Sequence, residues 1–234
     1  MCLPGMLHES MNKIAKIIFG IVVLAGLSGF LVKDDFIRAN SERRVSGKFI
    51  DPADLQNKHA VDSAVSMLRS GYIVLRSGRG ADSKLLMQMN RKDQTYSHCG
   101  IVMIENGYPF VYHSIGGEDN PDERLRRDSA KFFFSPLHNS GLAIVRYDYN
   151  EDKVNELRAI VRQYYRQRPK FDMKFDLKTD DKLYCAEFVY KAVNKATHDN
   201  TYIGTTSVLG CTFVGIDDLF VNTHAHVIWK TEFK

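Results

Sequence analysis

The chain has no CxxC pair, and its four cysteines, Cys2, Cys99, Cys185 and Cys211, are too sparse for a framework. This excludes a zinc ribbon and a dense disulfide scaffold. Charge of one sign is lacking too: 32 Lys and Arg stand against 28 Asp and Glu, for a formal net charge of +4. No stretch concentrates enough cation to track a phosphate backbone, so a dedicated nucleic-acid binder is not expected. Asp172, Asp176, Asp180 and Asp181 lack the D-x-[DN]-x-[DN]-G spacing of a calcium loop, which leaves helix capping as their role. His224 and His226 share a strand face without a third ligand nearby, so no metal site is expected. Nothing calls for a cofactor.

What is present suffices for a core: 234 residues, 44% hydrophobic, most simply one globular domain with an N-terminal appendage. Lys13 and Lys16 precede an apolar run from Ile17 to Val32, and Lys33, Asp34 and Asp35 follow it. The run is short for a membrane span of about 20 residues and slightly long for a signal h-region of roughly 7 to 15. Residues 1–33 are therefore a signal peptide or membrane anchor, 34–48 a polar linker and 49–234 the domain. The flanking charges place the bulk of the chain outside the cytoplasm, exported and periplasmic or extracytoplasmic, with residues 17–32 as an inner-membrane anchor if uncleaved.

Periodicity outlines the domain. Asp51, Pro52 and Asp54 start a helix whose stripe is Ala60, Val61, Ala64, Val65 and Leu68. A short strand follows over 72–76, then a helix over 83–89 with Leu85, Leu86 and Met89 toward the core. Residues 97–104 and 108–114 read as two strands joined at Asn106-Gly107, a strong hairpin signal. The segment 114–136 reads as a loop with a solvated charged half and an aromatic cluster, Phe132 to Phe134, at the core edge. A strand at 142–147 and a helix at 152–166, stopped by Pro169, come next. Residues 180–196 form an amphipathic helix capped by Asp180 and Asp181, and the tail closes with a short helix at 216–221 and a strand at 225–231.

Three residues carry the candidate chemistry. Cys185 sits in the first turn of the 180–196 helix, where unpaired N–H groups and the macrodipole favour thiolate over thiol. The same donors suit the oxyanion formed when a carbonyl is attacked. On the hairpin, alternation sends His98 and Cys99 to opposite faces, His98 toward a site and Cys99 into packing. Folding about residues 105–107 sets His113 opposite Cys99, so a bulge or small register shift is needed to bring both imidazoles to one face. Tyr184, beside the cysteine, and Tyr96, before the histidine strand, are the candidate substrate contacts. Glu187, about 200° around the helix axis from Cys185, is assigned to structure.

The order SHCGIV, V-x-H-x-x-G, R-P-x-x-D and LYCAEFVYKA resembles the circularly permuted papain-like cysteine hydrolases, specifically the YiiX/YebB-like branch of the NlpC superfamily. The resemblance runs from about Gly71 to the C-terminus. Its most specific feature is a histidine strand that precedes the cysteine helix. It implies an α+β fold, papain-like and permuted, with a central antiparallel sheet or barrel packed against helices and the catalytic cysteine at a helix N-terminus. It further implies Cys185 as nucleophile, His98 as base and His113 as the residue that orients it. His113 stands where this branch often has Glu, and so resembles the His, His, Cys set of the lecithin:retinol acyltransferase group. The family's opening Gly-Asp-Ile appears as Gly71-Tyr72-Ile73.

The implied activity is amide or ester cleavage through a Cys acyl-enzyme. Its substrate would be an envelope lipid, an acyl-amide or a peptidoglycan-derived peptide. The alternatives are a lipid acyltransferase or thioesterase with the same dyad, and a non-catalytic envelope binding module.

Overall fold

The computed structural model describes residues 52–117, 120 and 122–234. The expected leader and linker, 1–33 and 34–48, lie outside the described residues. Among the described residues no helix is long and apolar enough to cross a membrane.

The domain is mixed α+β, built on a six-stranded antiparallel sheet. Along the chain, α1 (Pro52–Met67) leads to β1 (Ile73–Gly78), α2 (Ala81–Met87) and the hairpin of β2 (His98–Glu105) and β3 (Tyr108–His113). Then come β4 (Arg126–Ser129), α3 (Ala130–Phe133), β5 (Asn139–Tyr147), α4 (Glu151–Gln167) and α5 (Cys185–Thr197). A two-stranded ribbon of β6 (Thr206–Val208) and β7 (Cys211–Phe213), a 3-10 turn at Asp217–Leu219 and β8 (Ala225–Glu232) complete it. The sheet order is β4-β3-β2-β1-β5-β8.

Both faces of the sheet are covered, which explains why β1, β2 and β5 read as nearly continuous apolar runs. Ile73 and Leu75, Ile101 and Met103, Ala143 and Val145 face α4 and α5, meeting Leu157, Val161, Phe188, Val189, Ala192 and Val193. Val74, Val102, Val111, Leu142 and Ile144 face the other way, against Val61, Ala64 and Leu68 of α1 and Phe133 and Phe134 of α3. Each large side chain so buried contributes about 1.5–3 kcal/mol. Leu157, Val161 and Tyr164 bury the expected face of α4, which ends at Arg168 in a left-handed cap (φ 53°) just before Pro169.

Three expectations need correction. The helix predicted over 83–89 lies at Ala81–Met87 and buries none of its residues; Leu85 is 48% exposed. The 114–136 segment is not all loop, because its charged half supplies β4, which pairs with β3 from Phe110↔Ser129 to His113↔Arg126. The third concerns the start of α5. Asp180 and Asp181 do not cap it: Lys170 and Leu183 exchange backbone hydrogen bonds with 181 and 170 at 3.0 and 2.8 Å, which keeps this stretch extended until Tyr184. The cap is Glu187, whose Oε2 accepts the Tyr184 N–H at 3.1 Å, while Asp180 takes the Lys191 ammonium at 2.7 Å. Cys185 is thus the first residue of the helix. Glu187 is fully buried beside Lys191, and burial lifts its carboxyl to about 7 against the pull of that ammonium.

Candidate functional site

The hairpin turn sets the position of the histidines. Asn106 and Gly107 both have positive φ (50° and 82°), the two-residue turn that fits the strand twist. It pairs Glu105 with Tyr108 and Ile101 with Tyr112. This is one residue off the expected register, so His113 falls alongside Gly100 rather than Cys99 and shares a face with His98 without any bulge. Gly100 leaves the room: a Cβ there would stand 2.5 Å from the Val111 side chain and 3.1 Å from the His113 Cβ.

His98 Nε2 lies 2.9 Å from His113 Nδ1, and His113 Nε2 lies 3.0 Å from Asp128 Oδ2. Arg126 donates to the other Asp128 oxygen at 2.9 Å. Phe133 packs against both imidazoles, with ring centroids 5.7 and 5.1 Å away. Burial depresses the pKa of His98, and Arg76 and His113 add to the effect. Burial also lowers His113, although its hydrogen bond to Asp128 pulls the other way. Burial pushes Asp128 up, yet His113 and Arg126 outweigh it and hold the carboxyl below its usual range.

These directions fix the tautomers. A carboxylate only accepts, so His113 Nε2 carries the proton; neutral His113 then offers a bare Nδ1, which His98 Nε2–H fills. His98 is left with Nδ1 as an unprotonated base. Asp128 therefore orders two rings in series. Sequence reasoning missed it because Arg126 to Ser129, RRDS, carries no apolar alternation and reads as solvated chain; a charged edge strand gives little signal.

The structure does not bring Cys185 to the imidazoles: it packs on the Cys99 face of β2, in the cluster with α5, whereas His98 and His113 pack on the other face against Phe133 of α3. Cys185 shares with Cys99 the buried cluster between the sheet and α5. Ser114, next to His113, donates to the Leu183 carbonyl at 2.5 Å. The hydrogen bond from Cys99 and then the backbone N–H groups lower the Cys185 thiol pKa against burial, while burial and the neighbouring sulfur drive Cys99 well up. No hydrogen bond joins the sulfur to either imidazole among the described residues, and Cys185 is 7% exposed. Cys99 points into packing as expected, fully buried in the cluster that also holds Cys185.

The two tyrosines are core residues rather than cleft residues. Tyr184 is 2% exposed, its ring 5.0 Å from Phe175 and its hydroxyl accepting the Val214 N–H at 2.8 Å. Tyr96 packs edge-on to Phe220 at 5.4 Å, and burial raises its hydroxyl pKa to about 12. A cavity of about 60 Å³ reaches His113 but is not lined by His98; Arg76, Arg126, Asp128, Phe132 and His138 line it with His113. Of the aromatic cluster, Phe133 and Phe134 are buried and Phe132 is 55% exposed.

No protein-family model matches the chain, and no curated protein does. Among solved structures it is similar to YiiX of Escherichia coli O157:H7, described as a metalloprotein of the DUF1105 group. The TM-score is 0.56 at 18% identity, over 70% of this chain and 98% of that one. The fold is therefore YiiX-like. The described residues do not fit a bound metal here: no three His, Cys, Asp or Glu side chains among them gather as ligands. The nitrogens and oxygens that join His98, His113 and Asp128 are already engaged with one another.

Proposed function

We propose that this chain is a cysteine hydrolase of the permuted papain-like kind within the NlpC superfamily, acting on an acyl-amide or ester of an envelope lipid or on a peptidoglycan-derived peptide outside the cytoplasm. Cys185 is the nucleophile. His98, on the opposite face of β2 from that sulfur in this structure, is the base that the resemblance implies, and His113 with Asp128 orders its ring. The N–H groups at the start of α5 receive the oxyanion. A water then releases the acyl group from sulfur.

The observation that supports this reading is the ordered chain Asp128, His113, His98, which leaves His98 Nδ1 as an unprotonated base. His113 in place of a carboxylate is less of a departure than the sequence implies, because Asp128 supplies the carboxylate one step further out. That His, His, Cys set also favours a second reading, acyl transfer to a lipid acceptor rather than to water.

The test is a panel of acyl-ester, acyl-amide and stem-peptide probes read by intact mass. A covalent acyl adduct on Cys185 is expected, lost in Cys185→Ala and slowed in His98→Ala, with both variants folded by circular dichroism. Products formed with and without a lipid acceptor separate hydrolysis from transfer. Turnover that survives Cys185→Ala sinks both readings, and a binding module keeps its ligand affinity in that variant.

A further inference from the structure

The outer flank of α4 carries charge that the fold does not use. Leu157, Val161 and Tyr164 seat the helix in the core. Beside them Arg158, Arg162 and Arg166 recur every fourth residue, one row along about 12 Å of helix. No acid lies three or four positions from any of the three, and none of them forms an ion pair among the described residues. Glu156, the nearest acid on the helix, pairs instead with Lys153 and His198 at 3.3 and 2.8 Å. Like charges four apart on a helix cost stability, and only Arg166, in the last turn, is favoured by the macrodipole. Exposed Arg168 and Lys170 follow, and Arg124 donates to the Arg168 carbonyl at 2.6 Å, so the same sign continues past the helix. From Arg158 to Lys170 the chain holds five cations and no acid. Tyr165, three positions on from Arg162, is 40% exposed in the same row.

We propose that this row is the face by which the folded domain lies against an anionic phospholipid bilayer. Three guanidiniums in so short a row are too few to follow a nucleic-acid backbone, but they suit a flat array of phosphates, which Arg grips with two parallel N–H groups. Tyr165 adds an amphipathic ring of the kind that settles at headgroup depth. In the sequence only residues 33–51 separate the apolar run 17–32 from α1, so an uncleaved run tethers the domain beside the membrane it enters. A short tether makes weak contacts count, because the second contact is then intramolecular. The apolar face of α4 is committed to the core, so the attraction is electrostatic and each arginine is worth about fivefold in affinity. The inference stands or falls separately from any turnover at Cys185.

The full chain is bound to vesicles of phosphatidylcholine, or of phosphatidylcholine and phosphatidylglycerol in equal parts, treated with phenylglyoxal and mapped by mass spectrometry. Arg158, Arg162 and Arg166 should be protected on the anionic vesicles only, with exposed Arg91, in the loop after α2, as the internal reference. The preference for anionic over neutral vesicles should fall about 10²-fold when Arg158→Gln, Arg162→Gln and Arg166→Gln are combined. Gln is close to Arg in helix propensity, so α4 is retained. Combined Lys58→Gln, Lys84→Gln and Lys230→Gln remove the same charge from exposed positions elsewhere and should keep most of the preference. The proposal is overturned if the three arginines label equally on both vesicles, or if the two triple variants lose the preference alike. It is also overturned if a DNA duplex at matched phosphate concentration protects those arginines better than the anionic vesicles do. The labelling of the wild-type chain decides even if a variant folds poorly.

Discussion

Across the β2 and β3 strands, His98 Nε2 stands 2.9 Å from His113 Nδ1, the single hydrogen bond through which Asp128 controls which nitrogen of His98 is a base. The two imidazoles act as one ordered unit.

Asp128→Asn tests that control. An amide in place of the carboxylate no longer fixes the proton on His113 Nε2, so both rings lose their tautomer preference. Turnover on a responsive acyl probe should fall by about 10²–10⁴-fold, the range for a misdirected general base. Nitrogen-15 shifts of the His98 ring should show mixed tautomers. An unchanged His98 spectrum would remove Asp128 from the proposed machinery.

Gly100→Ala tests the packing that admits His113. The added methyl meets Val111 at 2.5 Å and the Tyr112 carbonyl at 2.9 Å. Overpacking of this kind costs about 1–3 kcal/mol, measurable as a lower urea midpoint at constant slope. A variant as stable as the parent means the hairpin yields easily there.

Acid should weaken the fold through the same pair. Both histidines are held below their ordinary value of 6.5. For a base with depressed folded pKa, the unfolded chain takes the proton first. The contribution is therefore fully present above 6.5 and is lost as pH falls from there through the folded pKa. Every tenfold difference in proton affinity between the folded and unfolded chain is worth about 1.4 kcal/mol per group. Unfolding free energies measured from pH 7.5 to 5 should decline, and less steeply in a folded His98→Gln variant. Parallel curves for the two proteins would contradict the buried, neutral assignment.

Much of this arrangement is legible in the sequence. Asn106-Gly107 announces the hairpin, the helical stripe of Phe188, Val189, Ala192 and Val193 announces α5, and the sheet with flanking helices follows. What fails does so for identifiable reasons. A two-residue turn rather than a three-residue one shifts the strand register by a single position, enough to move His113 from beside Cys99 to beside Gly100. The start of α5 slips from Asp180 to Cys185 because the backbone of 181–183 pairs with Lys170, which lies outside the helix's own stretch of sequence. Asp128 is hidden in a run of charges whose partners come from another strand. That Cys185 lies on the Cys99 face of β2 and not on the His98 face depends on how α5 lies against the sheet, which no local pattern reports. For Tyr184 and Tyr96, adjacency in sequence to a candidate residue misleads, because each ring points into packing.

The carboxylate that orders both rings hangs on β4, four residues long and outermost in the described sheet. Marginal strands open more readily than central ones. Each time β4 lifts from β3, His113 loses its anchor and His98 its fixed proton. The proton affinity of the base is then set by how well the least secured ladder of the domain stays zipped, and a ligand that staples β4 down would sharpen the chemistry from outside the sulfur's reach.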